Sequence, residues 1–246
     1  MTEISFSKYA AKGAYHWREC FGPVHRLNAF TLGRYHMVLS ALRAHKLARN
    51  ARVLDVGCGD GALSGLLATH LQARVEGVDV VPLSIDLARA EFAKRKLEGR
   101  FQVVDGYVYP FPDASFSAVV CSDVIEHVQK PADMLAEMWR VLAPCGVLVV
   151  TTPVRYTELP LDPMHVQEWF PSEFERLCTD VLGVPVELQL SHPVALAEIY
   201  ASPTAILGRV ARLIVNLACK AGRNPFVRRT GLRAFAAQTA VATKVL

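Results

Sequence analysis

Residues 53–61 read VLDVGCGDG. Val53, Leu54 and Val56 suit a short buried strand, predicted over 52–56. Gly57, Gly59 and Gly61 then turn the chain with no Cβ atom to hold a ligand away from the backbone. A helix follows to residue 70. The same alternation continues along the chain: strands at 74–79, 101–105, 116–121 and 147–151, with helices over 82–97 and 132–142 between them. Pro82 suits a first helical turn, and Pro144 with Gly146 stops the helix before them. A helix at about 172–182, a strand at about 186–190 and a closing strand over 239–245 complete the pattern. Strands alternating with helices of roughly 10–15 residues predict an α/β sheet, mostly parallel, with helices on both faces. Ligands of such sheets bind beyond the carboxyl ends of the strands, where the strand order reverses.

The chain has 246 residues, 52% of them hydrophobic and 20% charged. That composition excludes wholesale disorder and supports a sizeable core. No apolar run approaches the ~18 residues needed to cross a bilayer, and the first residues lack the basic-then-apolar pattern of a secretory leader. Six cysteines show no CxxC pair or zinc-like spacing, which fits a reducing, cytoplasmic setting. The net charge of +4 is unevenly spread. No acid follows Glu198, whereas Arg209, Arg212, Lys220, Arg223, Arg228, Arg229, Arg233 and Lys244 do. Such a split points to an anionic partner near the C-terminal part.

Three acids punctuate the strand ends. Asp55 precedes the glycine turn, Asp79 closes the second strand and Asp105 the third. A dinucleotide oxidoreductase would present amides to a pyrophosphate there. Asp55 and Asp60 put negative charge where those phosphates would lie. Asp79 can accept both hydroxyls of a ribose, and Asp105 an exocyclic adenine amine. The set suits an adenosine with a cationic end, the shape of S-adenosylmethionine.

The chain resembles the class I S-adenosylmethionine-dependent methyltransferases, in the branch with ubiquinone, menaquinone and glycan-modifying enzymes. VLDVGCGDG is similar to that family's first motif, VEGVDV (75–80) to its second, and residues 103–128 to its third and fourth. AVATKV (240–245) is similar to its antiparallel seventh strand. The resemblance implies a Rossmann-like seven-stranded sheet within 51–246; the chain's own pattern adds a helical cap over 1–50 and a basic helical insert at about 195–235, before the last strand. It also implies that Asp55, Gly57 and Gly59 border the methionine end of the donor, Asp79 with Val80 the ribose, and Asp105 with Gly106 the adenine.

Methyl transfer to a hydroxyl needs a base or a metal to take up the proton. CSDVIEHV (121–128) offers Asp123, Glu126 and His127 just after a strand, and the segment 151–170 offers His165. His127 is the expected base, oriented by Asp123 or Glu126, with His165 beside the acceptor. Asp123, Glu126, His127 and His165 also resemble the metal constellation of small-RNA 2′-O-methyltransferases, with Asp123 in place of a glutamate. Magnesium or manganese is the ion expected there. The reading is O-methylation of a saccharide or small hydroxylated metabolite. An RNA 2′-O-methyltransferase, an NAD-dependent oxidoreductase and a non-catalytic cofactor-binding protein are the alternatives. Nucleic acid is not the expected partner, since no basic surface interleaved with aromatics is visible.

Two further segments carry expectations. Tyr15, His16 and Trp17 suit an aromatic lid over a bound donor. Ile206, Val210, Leu213, Ile214 and Leu217 share one helical face. That stripe is expected to pack on its own domain or on a twin subunit, with contact to an anionic membrane as the other reading.

Overall fold

The computed structural model describes residues 7–158, 160, 162–202, 206–227 and 234–245. Helices α1 (Ser7–Lys12), α2 (Tyr15–Phe21) and α3 (Ala29–Ala44) lead into the alternating region. There β1 (Arg52–Val56), α4 (Ala62–Leu71), β2 (Arg74–Asp79), α5 (Pro82–Arg95), β3 (Gly99–Val103) and β4 (Phe116–Ser122) follow one another. A 3₁₀ turn at Ile125–His127 precedes α6 (Pro131–Val141), β5 (Leu142–Pro153), α7 (Pro171–Leu182) and β6 (Glu187–Pro193). Then come α8 (Val194–Ala201), α9 (Ile206–Lys220), a 3₁₀ turn at Pro225–Val227 and β7 (Phe235–Thr243).

The seven strands run in the order β3-β2-β1-β4-β5-β7-β6. All pairings are parallel except those of β7, which lies antiparallel between β5 and β6. After β3 the chain crosses back to place β4 beside β1, and this reversal opens a crevice at their carboxyl ends.

Strand alternation sorts the core onto two faces. Val53, Val120, Val147 and Val149 face α3, α4 and α5, where Leu39, Leu42, Leu67 and Phe92 meet them. Leu54, Val119, Leu148 and Val150 face α6 and α7, where Met138 and Phe174 pack. Each such side chain, fully buried, contributes roughly 1.5–3 kcal/mol of hydrophobic stabilisation.

The element boundaries follow local chemistry. Proline at the first helical positions opens α5, α6 and α7, where a missing N–H costs nothing. The first long helix begins at Ala29, because Asn28 caps it by accepting from the Thr31 amide at 3.3 Å. The third strand ends at Val103, two residues before the sequence expectation. Val103 pairs with Asp79, the last residue of β2, so no partner remains for Asp105, which lies in the loop beyond. The fifth strand begins early, at Leu142, through pairing with Phe116 across a β-bulge. The closing strand spans Phe235–Thr243 rather than 239–245, since both its neighbours extend to meet Phe235 or Ala237. All six cysteines are free. Among the described residues no helix is long and apolar enough to cross a membrane. Arg228, Arg229 and Arg233 lie outside the described residues.

Candidate active site

A cavity of about 460 Å³ opens over the carboxyl ends of β1, β2 and β4, beneath α1 and α2. Gly57, Gly59, Asp79, Val80, Asp105 and Gly106 line one half, and Asp123, Glu126, His127 and His165 line the other. Of the residues expected to bind the donor, act in catalysis or hold a metal, only Asp55 is absent from the wall.

The glycine turn needs glycine for stated reasons. Gly57 and Gly59 hold φ of +68° and +55°, values that side-chain-bearing residues adopt at a cost. A methyl on Gly57 would run into Val124, and one on Gly59 into the Tyr9 hydroxyl. The amides of Gly57 and Cys58 both donate to the Val78 carbonyl, at 2.8 and 3.0 Å, which ties the turn to β2.

Asp79 braces the same turn. Its Oδ2 accepts from the Gly59 amide at 2.9 Å and its Oδ1 from the Val81 amide at 2.8 Å. Each oxygen keeps a lone pair for a ligand hydroxyl. Burial raises the Asp79 carboxyl above its ordinary value, against the pull of these amides. Asp105 is exposed, and its Oδ1 accepts from the amides of Tyr107 and Val108 at 3.1 and 3.0 Å.

Asp55 lies beneath the turn. It shares the strand face of Val53, toward α4, and there its Oδ2 accepts from the Ser64 hydroxyl at 2.6 Å. It is 1% exposed, and burial pushes its carboxyl up to about 7. Asp55 thus lies outside the cavity wall and supports the turn from below.

In the other half of the cavity, Asp123 is held in left-handed backbone at φ +54°. Its Oδ2 lies 2.7 Å from Arg34 Nη1 of α3. Burial pushes the Asp123 carboxyl up, opposed by the Arg34 charge. Glu126 is wholly buried. Its Oε2 accepts from the Thr152 hydroxyl at 3.0 Å, while Oε1 has no hydrogen-bond partner among the described residues. Burial, with Asp123 adding to it, raises Glu126 well above the carboxylate range.

His127 Nδ1 lies 2.9 Å from the Met164 carbonyl. A carbonyl only accepts, so Nδ1 carries the proton and Nε2 is the basic nitrogen of the neutral ring. Neither Asp123 nor Glu126 orients it, contrary to expectation; the backbone at Met164 does. Burial lowers His127 below the ordinary imidazole value, with the Met164 carbonyl opposing. The His165 ring stands edge-on to it, with centroids 4.8 Å apart, and its Nδ1 lies 2.5 Å from Glu168 Oε1.

Glu126, His127 and His165 each bring a ligand atom within 4.8 Å of the others. Asp123, expected as a fourth metal ligand, is outside this group and committed to Arg34. Tyr15 and His16 line the cavity. Trp17 does not: it is 1% exposed, stacks on Phe21 and donates to the Asp60 carbonyl at 2.5 Å, so it anchors α2 on the core. Sequence reasoning missed Arg34 and Tyr9. Arg34 was visible only as a charge interrupting an otherwise apolar helical run.

Comparison with known proteins agrees with this geometry. Residues 54–150 match the family model described as "Methyltransferase domain". A "Probable S-adenosylmethionine-dependent methyltransferase" of Mycolicibacterium smegmatis is 35% identical over 175 residues, covering 68% of this chain and 65% of the relative. A ubiquinone biosynthesis O-methyltransferase of Xanthomonas campestris pv. campestris is 33% identical over 152 residues, covering 61% of each. The chain thus spans less than two thirds of the length of either relative. The crystal structure of an S-adenosylmethionine-dependent methyltransferase from Aquifex aeolicus superposes over 100% of both chains, with a TM-score of 0.59 at 15% identity, a likeness of fold.

Proposed function

Because the chain carries a domain of the class I S-adenosylmethionine-dependent methyltransferase family, we propose that it methylates a hydroxyl oxygen of a small acceptor. The observation that carries this reading is the fixed His127 tautomer, which leaves Nε2 basic in a cavity whose other half is built for an adenosine. S-adenosylmethionine supplies an electrophilic methyl on a positively charged sulfur. Asp79 would take the ribose hydroxyls, and the left-handed glycine turn would let the methionine end approach the backbone. The acceptor oxygen forms a bond to the methyl carbon as the carbon–sulfur bond breaks, and the hydroxyl proton passes to His127 Nε2. Tyr15 and His16 would cover the reacting groups and exclude water. An NAD-dependent oxidoreductase is set aside, since the family match favours a methyl donor.

Between a saccharide and a hydroxylated aromatic ring, the Xanthomonas relative, named for ubiquinone biosynthesis, favours the ring. Tyr15 and Tyr107 in the cavity wall offer it stacking faces.

A divalent ion is the second reading, favoured by the unpartnered, buried Oε1 of Glu126 beside two imidazoles. One carboxylate with two nitrogens suits manganese or a softer ion better than magnesium. Glu126, His127 and His165 would hold it, and its charge would acidify a bound hydroxyl.

Incubation with methyl-labelled donor and a panel of dihydric phenols, saccharides and an RNA oligonucleotide, with and without EDTA, tests these readings. Label is expected in a phenol. The base reading predicts turnover unaffected by EDTA and lowered about 100-fold or more in His127→Gln, with affinity for the demethylated donor unchanged. Loss of turnover in EDTA selects the metal. Failure to bind either form of the donor overturns the function.

A further inference from the structure

Helix α9 faces the wrong way for a helix packed on its own domain. Ile206 is 79% exposed, Ile214 60%, and Val210, Leu213 and Leu217 between 46 and 51%. At 100° per residue these five side chains form one stripe. The opposite side, with Val215, Asn216 and Cys219, is the buried one. The helix is amphipathic, and its apolar side points outward.

Its orientation is fixed. The Asn216 side-chain amide donates to the carbonyls of Val24 and Leu27 at 2.9 and 2.8 Å, and its Oδ1 accepts from the Tyr200 hydroxyl at 2.8 Å. Tyr200 in turn accepts from the Ala29 amide at 2.9 Å. Rotating α9 to bury the stripe would break this buried network, leaving polar groups unpaired at roughly 1–3 kcal/mol each. The exposed stripe is therefore the stable arrangement.

We propose that α9 is an interfacial helix that seats this protein on an anionic lipid surface. Charge decides the occupant. Arg209 and Lys220 lie exposed along one edge of the stripe and Arg223 follows the helix, while Arg212 lies back over the Tyr200 ring at 4.9 Å and donates from Nε to the Tyr200 carbonyl at 3.3 Å. No acidic residue occurs anywhere after Glu198. Two copies meeting through this face would set their arginines and lysines against one another with no carboxylate from the segment to pair them. An anionic headgroup layer supplies the missing charge while the five aliphatic side chains enter the acyl boundary. The helix spans 15 residues, about 22 Å, and is too short to cross the bilayer, so it lies in the surface.

This assignment is independent of the acceptor chemistry and is tested without it. The full chain is sedimented with vesicles of phosphatidylcholine alone and of equal phosphatidylcholine and phosphatidylglycerol. Binding to the anionic vesicles is expected to exceed that to the neutral ones by about tenfold or more and to weaken with added salt. Leu213→Glu and Ile214→Glu, both at exposed positions, are expected to cut it by a further tenfold or so without changing the melting temperature or calorimetric donor binding. Equal binding to both vesicles, or none, overturns the proposal. So does a dimer in sedimentation equilibrium that Leu213→Glu converts to monomer, since a second copy would then own the stripe.

Discussion

Arg34 Nη1 and Asp123 Oδ2 lie 2.7 Å apart, joining α3 to the loop that leaves β4. The pair is only 21% and 15% exposed, and Asp123 neighbours the buried Glu126. Removing the cation leaves two carboxylates in a poorly solvated place. Arg34→Met is expected to lower unfolding free energy by roughly 2–3 kcal/mol in urea titration. Adding Asp123→Asn should restore most of that. A double variant no better than the single one would show that the loss lies in Arg34 packing.

Asp79 braces the turn, and the proposed function also gives it the ribose. Asp79→Ala removes the acceptor of both the Gly59 and Val81 amides together with the ribose partner. Affinity for the demethylated donor should fall by about 10- to 100-fold in calorimetry, on the scale of one or two lost hydrogen bonds to a charged group. Unchanged affinity would place the ribose elsewhere.

Asp55 gives the fold a pH dependence. Its carboxyl is pushed up to about 7 in the folded state from 3.8, so the folded chain holds a proton that the unfolded chain releases. Its stabilising contribution is whole below about pH 4 and is lost as pH rises through 7. The span is worth on the order of 4 kcal/mol. Asp55→Asn can still accept from Ser64 and carries no charge. Its melting temperature should therefore exceed that of the unaltered protein at pH 8 and match it near pH 4. Parallel curves across that range would refute the assignment.

Gly59 and Tyr9 compete for one volume. Gly59→Ala places a methyl against the Tyr9 hydroxyl and strains a left-handed residue, the strain alone costing about 1–2 kcal/mol. Tyr9→Phe removes the obstructing oxygen. The double variant should melt above Gly59→Ala, and equal melting points would mean that backbone strain accounts for the whole loss.

The sequence made one half of the cavity wall readable because its residues sit at or just beyond strand ends, where strand period and glycine spacing fix position. Asp79 and the glycine turn stand where that logic puts them. Asp55 lies outside the wall for a reason the alternation itself contained. It shares a face with Val53, and that face packs on α4. The other half depends on pairings between distant segments. Nothing local links Arg34 to Asp123, or His127 to the Met164 carbonyl. The α9 stripe shows a different limit: periodicity tells that a helix has two unlike sides and leaves open which one faces the core. Here a buried asparagine network chose the side.

Of the six free thiols, only that of Cys145 is exposed. It lies near the start of β5, whereas the cavity opens at the far ends of the strands. A maleimide dye added to the native protein thus has a single accessible point of attachment, remote from the bound donor. Labelled molecules would all be alike, ready for fluorescence measurements of vesicle docking with no cysteine replaced.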